Sequence, residues 1–338
     1  MRPTVPSKNK LLKNNLLKGR LRPSSIGGIL LAGAMTMLFG PPAMAGNGMQ
    51  PLSVQQVADG VFVHQAVMED MTAANRGDIG NCGFIVGSAA VAVIDACGSG
   101  EIAARMLASI RQVTSLPVRY LILTHMHPDH VFGMDRILAS QQNPPVEVIS
   151  HTNLPDSLAM RGDFYKRRFS GMVNDISPPD LAMGPSPRLV SDRLEIDLGD
   201  RALELVAWPA SHTDNDLTVL DRKTATLWTG DLLFVERAPT LDGSLLGWIA
   251  TLDRMLALPA TRAVPGHGPA DTTWPAGGMA LKRYLNALAD GVRAVQKRRG
   301  TINQAIAEVA GEERNNWHLF DDTHARNVTA AFAELEWE

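Results

Sequence analysis

The chain has 338 residues, 45% hydrophobic and 20% charged. That is enough for a sizeable core, and it excludes a disordered chain, a collagen or a coiled coil. Two cysteines exclude a disulfide scaffold and a cysteine-rich zinc module. The formal charge of −3 hides a split: residues 1–45 hold seven Lys and Arg and no acid, so residues 46–338 sit near −10. Such acidity argues against nucleic acid as a partner.

In chain order the first feature is residues 26–39 (IGGILLAGAMTMLF), apolar, uncharged and short for a membrane-crossing helix. A basic stretch precedes it, and Ala43-Met44-Ala45 follows with the small-residue pattern of a cleavage site. Residues 1–45 therefore read as a signal peptide cut after Ala45, with an uncleaved anchor as the alternative. The mature product is expected to be periplasmic and free of the membrane. Its domain spans 46–338, with 291–338 as a helical C-terminal extension.

Val-rich alternating runs at 54–57, 61–66, 82–86 and 91–94 suit half-buried strands. The polar stretch 68–80 between them reads either as a flap, carrying Met68, Met71, Asn75 and Arg76, or as a surface loop. Residues 101–113 have helical apolar spacing (Ile102, Met106, Ile110, Val113). A continuous apolar run at 118–123 predicts a buried strand, and 146–149 another. Residues 152–190 read as an insertion over one face. Within it RGDFYKRRF (161–169) mixes cations and aromatics, as an anion-binding surface or a solvated helix face. Strands return at 194–198, 203–207, 217–220, 225–228 and 263–264, and helices are predicted at 245–257, 274–299, 302–309 and 323–335. Strands and helices alternate without a repeat, so the fold class is α/β. With residue 86 paired to 91 in a hairpin, Cys97 falls two residues past the partner of Cys82, on the same face. The pair reads as a disulfide or as two buried thiols.

Chemistry concentrates where the strand 118–123 ends, at His125-Met126-His127-Pro128-Asp129-His130. Side chains i and i+2 of an extended segment share a side, so His125 and His127 can face one ion. Pro128 keeps His127 extended and opens a helix whose first turn carries Asp129 and His130. His212, Asp231 and His267 each cap a separate apolar run. Imidazoles and carboxylates without thiolate suit zinc or iron, and seven donors exceed one tetrahedral site. Asn215, three after His212, reads as a donor toward the site or as a turn cap. With Met68 and Met71 it is a substrate-contact candidate. His64, His151, His318 and His324 read as structural or surface residues, and Trp208 and Phe234 as core.

THMHPDH, the isolated His212, TGD with Asp231 and PGHG with His267 together resemble the metallo-β-lactamase superfamily over about residues 52–290. The resemblance implies a four-layer αββα sandwich with the metals at one edge of its two sheets, and extra C-terminal helices. It implies two zinc ions per chain: one held by His125, His127 and His212, the other by Asp129, His130 and His267, with Asp231 bridging. Asp95, in VAVIDAC, matches a family aspartate that hydrogen-bonds near the metal loop. The activity implied is hydrolysis of a small-molecule ester, thioester, lactone or amide by a hydroxide held between the metals and oriented by Asp129. Ser211 departs from the glycine many members carry before the histidine, which is expected to narrow the pocket. SHTDNDLTV, FVERAPTLDGSLLGW and RNVTAAFAELEWE look like exported SoxH-like proteins, the quinoprotein relay system zinc metallohydrolases. That likeness implies a quinoprotein dehydrogenase or cytochrome c partner, with Trp337 in the acidic tail either as the contact or packed onto the domain. Two other readings stay open: an iron-dependent persulfide dioxygenase-like oxidoreductase, and a non-catalytic accessory protein of a periplasmic redox relay. Shared ligands do not imply β-lactamase activity.

Overall fold

The computed structural model describes residues 49–173, 183–184 and 186–338. The expected signal segment lies outside the described residues, as does part of the expected insertion. The described chain opens with β1 (Gln55–Ala58) and β2 (Val61–His64), turned at Gly60, whose φ of 66° suits glycine. After the loop 68–80 come β3 (Cys82–Val86), β4 (Val91–Ile94), α1 (Gly100–Val113) and β5 (Val118–Ile122). Then follow α2 (Pro128–Val131), α3 (Met134–Leu138), β6 (Glu147–His151), α4 (Leu154–Phe169) and β7 (Arg188–Val190). These seven strands make one sheet in sequence order, antiparallel up to β4 and parallel from β4 to β7.

The second sheet is built from β8 (Arg193–Asp197), β9 (Ala202–Ala207), β10 (Leu217–Asp221) and β11 (Thr226–Phe234). Helix α5 (Leu245–Leu256) crosses over to β12 (Arg262–His267), and β13 (Thr272–Thr273) ends the sheet, in the order β13-β12-β11-β10-β9-β8. The chain closes with α6 (Met279–Lys297), α7 (Ile302–Glu308) and α8 (Phe320–Leu335).

Strand alternation explains the layers. In β4, Val91 and Val93 face one cluster, with α1 residues Ile102, Met106 and Ile110, while Ala92 and Ile94 face another. That second cluster lies between the sheets and includes Leu203, Leu205, Leu217 and Val219. The outer face of the second sheet is covered by α5, α6, α7 and α8 through Trp248, Leu252, Leu285, Ala305 and Val328. The result is the expected four-layer αββα order with added C-terminal helices. Ser99 caps α1 and Ser244 caps α5, each accepting from a backbone N–H of its own first turn. Among the described residues no helix is long and apolar enough to cross a membrane.

The structure corrects some expectations and decides between others. Residues 154–169, expected as part of an insertion over one face, form the four-turn helix α4, whose Leu154, Leu158 and Tyr165 join the core. The long C-terminal helix starts at Met279, not 274: Thr272–Thr273 pair with β12 and Trp274 N–H donates to Thr261 O (3.0 Å), which holds that stretch extended. Strand β11 runs on to Phe234 rather than stopping at 228, because it stays paired with β12 across irregularities at Gly230. Cys82 and Cys97 form a disulfide, Cα–Cα 5.7 Å. Positive φ at Asp95 and Cys97 (60° and 61°) turns the chain after β4 and brings Cys97 back over Cys82. Trp337 is 88% exposed, so the tail tryptophan does not pack onto the domain.

Candidate metal centre

Parallel neighbours β4 and β5, and β11 and β12, each deliver their C-terminal ends to one edge, where α/β sheets bind ligands. Asp95 follows β4, and His125 to His130 follow β5 into α2. Asp231 lies within β11 and His267 ends β12. The connection from β9 to β10 supplies His212. Leu217 N–H at its end donates to Thr124 O across the two sheets (2.8 Å). Gly266 has a packing reason: a Cβ there would collide with Asp231 Oδ1.

Hydrogen bonds at the outward nitrogens fix how the imidazoles point. His212 Nδ1–H donates to Thr240 O (2.6 Å) and His130 Nδ1–H to Asp95 Oδ2 (2.8 Å). Thr124 Oγ1–H donates to Asp95 Oδ2 (2.9 Å), which leaves its oxygen to accept from His125 Nδ1–H (3.1 Å). His267 Nδ1–H donates to Ile79 O (2.7 Å). His127 is reversed: its Nε2–H donates to Asp242 Oδ2 (3.2 Å) and Nδ1 faces inward. Five bare ring nitrogens thus point into the centre, the arrangement that outer partners impose on metal-binding histidines.

The donors fall into two groups whose ligand atoms lie within 4.8 Å of one another: His125, His127, His212 and Asp231, and Asp129, His130 and His267. Asp231 reaches both. Its Oδ2 is 3.3 Å from His212 Nε2 and 3.6 Å from His125 Nε2, and its Oδ1 is 3.2 Å from His130 Nε2. His267 Nε2 is 3.3 Å from both Asp231 Oδ2 and Asp129 Oδ2. His125 Nε2, His130 Nε2 and Asp231 Oδ1 are buried without a hydrogen-bond partner. His127 Nδ1 and His212 Nε2 face each other at 3.0 Å as two lone pairs. A divalent cation in each group resolves these orphaned acceptors, so the residues fit two metals.

The electrostatics agree. Burial pushes His125 well below its ordinary value and His212 down to about 3, so both are neutral. Burial would also lower His130 and His267, but the carboxylates around them raise both. Burial would raise Asp129, yet His130 and His267 hold it well below the usual carboxylate range. The second group thus draws positive charge.

The family model of the metallo-beta-lactamase superfamily matches residues 75–267, which contain all seven donors. The chain belongs to the metallo-beta-lactamase superfamily. It is 27% identical over 164 residues to the Beta-lactamase-like protein 2 homolog of Caenorhabditis elegans, covering 48% of this chain and 46% of that one. It is 21% identical over 209 residues to the Linear primary-alkylsulfatase of Pseudomonas sp. (strain ATCC 19151), covering 52% and 39%. The chain thus spans less than half the length of these curated relatives. Among solved structures it superimposes on the stereoselective inverting sec-alkylsulfatase Pisa1 from Pseudomonas sp. with a TM-score of 0.65 and 14% identity, over 83% of this chain and 50% of that one. At that identity the likeness is one of fold. Metallo-beta-lactamase superfamily members are generally hydrolases, and this chain has their sandwich and two candidate metal-binding groups.

Above this superfamily centre lies a cavity of about 680 Å³, open to solvent and floored by His127, Asp129, Asp231 and His267. Of the substrate candidates only Met71 lines it. Met68 is half-buried elsewhere. Asn215 is fully buried in its turn, with Nδ2–H donating to Asp214 Oδ1 (2.7 Å). Asn75 ties the loop 68–80 through Thr72 N–H (2.9 Å), and Arg76 pairs with Glu101 (2.7 Å). Ser211 does not narrow the cavity; its hydroxyl is buried against Pro209 O and Thr251. The stretch 161–169 is not merely a solvated face: Arg161, Phe164, Tyr165, Arg168 and Phe169 wall the cavity.

Sequence reasoning missed Arg237, Thr240, Asp242 and Arg326. Asp242 joins His127 to Arg161 of α4 and to Arg326 Nη2 of α8 (3.1 Å), so a carboxylate behind a metal ligand anchors two helices. Burial would raise Asp242, but His127, Arg161 and Arg326 keep it ionised. Arg237, Thr240 and Asp242 stand together in the stretch FVERAPTLDG after β11; nothing in their spacing marks them as site residues. His64, His151 and His324 serve as structural residues: His64 Nε2 pairs with Asp78 (2.7 Å), His151 Nδ1 accepts from Asn153 N–H (3.0 Å) and His324 Nε2–H donates to Val309 O (2.8 Å). His318 is exposed. Trp208 and Phe234 are core.

Proposed function

We propose that the chain is an exported dinuclear zinc hydrolase acting on an ester, thioester, lactone or amide, and that it serves a quinoprotein dehydrogenase system. The observation that carries the reading is the convergence of seven donors, six buried and His127 half-buried, in two groups joined by Asp231. Two groups favour a pair of metals over the single iron of the oxidoreductase reading. The curated relative named as an alkylsulfatase adds sulfate esters to the bonds worth testing.

Bound zinc supplies Lewis acidity and makes water a nucleophile near neutral pH. The chain's own residues do the rest. Asp129, ionised and facing the cavity, orients the attacking water by accepting its hydrogen bond. The outward hydrogen bonds to Thr240, Asp95, Thr124, Ile79 and Asp242 hold the imidazoles in place, so little reorganisation accompanies reaction.

The test is metal content followed by turnover. About two zinc per chain, with hydrolysis of a thioester, lactone or sulfate ester that chelation abolishes and zinc restores, is the expected result. One iron per chain with oxygen uptake on a persulfide would overturn it. Two zinc ions without turnover of any ester, amide or sulfate probe would favour the accessory role.

A further inference from the structure

The cavity contains a charge that the metal chemistry does not use. Arg237 lies after β11 and is 7% exposed. The backbone on either side of it is tied to the C-terminal segment, with Ala238 N–H donating to His318 O (2.8 Å) and His318 N–H to Glu236 O (2.7 Å). Its guanidinium is poorly matched. Nε is buried with no acceptor. Nη1 sits 2.6 Å from His267 Nδ1, a nitrogen whose proton goes to Ile79 O. Nη2 has Asp70 Oδ1 at 3.3 Å, on a side chain that is itself 63% exposed. A buried cation with one long contact to a solvated carboxylate is costly unless an anion completes its shell. The other cations differ. Arg161 and Arg326 share Asp242, and Arg168 lies exposed at the rim over the Phe169 ring.

The same cavity carries an apolar strip. Met160, Phe164 and Arg168 follow one another at four-residue steps on α4 and line the same cavity. Met160 and Phe164 are 76% and 56% exposed, among the largest exposed apolar side chains of the described residues. Met71 and Ile79 extend apolar surface toward the floor.

We propose that this cavity binds a single-tailed organic oxyanion, its head on Arg237 beside the metal centre and its tail along Met160 and Phe164. The inference deepens the hydrolase reading, since it takes the cavity as the substrate site. A guanidinium offers an oxyanion two parallel N–H donors, which a neutral or cationic head cannot accept equally well.

The test is calorimetric binding, which needs no turnover. The full chain, with its metal content measured, is titrated with octanoate and octanesulfonate, neither of which is a hydrolase substrate. Octanol and octyltrimethylammonium at equal concentration are the controls. Both anions are expected to bind at least tenfold tighter than octanol, and each pair of methylenes removed from the anion to weaken binding by about tenfold. Arg237→Gln should cost the anions at least tenfold and leave octanol unchanged, with Arg237→Lys intermediate. If Arg237→Gln loses metal, the exposed pair Met160→Ala and Phe164→Ala still reports: each should flatten the chain-length dependence at unchanged metal content. Octanol binding as tightly as octanoate, anion binding indifferent to Arg237, or no chain-length dependence would each overturn the proposal. Tight octanoate binding without hydrolysis of any probe would sink the hydrolase reading and leave this one standing.

Discussion

The floor and the walls of the cavity are built on different terms. The floor is contributed by the ends of paired β-strands and by α2; all its donors but the half-buried His127 are buried, and each imidazole is fixed by a second hydrogen bond. The walls come from α4, the segment after β11 and α8; they expose apolar side chains of α4 and bury Arg237. Residues 75–267 match the family model, so the floor lies wholly inside the matched region while α8 lies beyond it. One centre can thus be kept while the chemistry above it varies, because the floor's geometry is set by sheet pairing and the walls' by helices packed from outside.

The contrast can be broken most severely at the floor. Asp231→Ala removes the carboxylate that reaches both donor groups, and should lower bound metal and reduce turnover at least about a thousandfold, roughly 4 kcal/mol, more than any single outer ligand. Atomic absorption with steady-state rates checks this; retention of both metals and full turnover would refute the bridging role. Next in size is the cross-link beneath the floor. Replacing both Cys82 and Cys97 by Ser opens a loop with a sequence separation of 15. It should cost about 3 kcal/mol in urea unfolding of the metal-free chain.

Asp242 is where wall meets floor. Asp242→Asn weakens the anchor of His127 and of both arginines, and should lower zinc affinity about 10- to 100-fold, read by competition with a chelator. An unchanged affinity would separate wall from floor. A carboxylate among the C-terminal helices is titratable too. Arg283, with Asn316 and Trp317, holds Glu313 down to about 2 from an ordinary 4.5, against a smaller opposing effect of burial. A depressed carboxylate stabilises the fold above its unfolded value and loses that contribution as pH falls through the folded one. Thermal midpoints should therefore fall between about pH 4.5 and 2, and Glu313→Gln should flatten that limb while lowering the plateau. Smallest of all, Phe164→Ala should change stability by no more than about 0.5 kcal/mol and leave metal content untouched, since its side chain is mostly solvent-exposed.

How much was legible depends on range. His125 to His130 could be read because a strand end and a helix start place neighbouring side chains by local geometry alone. His212, Asp231 and His267 stood out because each interrupts or ends an apolar run, and the family likeness then grouped them. Arg237 and Asp242 gave no such signal: their partners, His267, Asp70, Arg161 and Arg326, lie between 30 and 167 residues away in the chain. Asn215 and Met68 misled because proximity in sequence to a ligand or a loop says nothing about which way a side chain turns; Asn215 bonds within its own turn.

The α/β alternation, the buried strands and the seven candidate donors could be read from the chain, since periodicity and donor chemistry are local properties and the family likeness grouped the distant three. Tertiary structure decided the rest. It closed Cys82 on Cys97 through two positive-φ residues, extended β11 through Asp231, turned 154–169 into a cavity wall and set Arg237 without an adequate counter-ion beside His267. Those outcomes depend on which distant elements meet, and packing, not local preference, selects them.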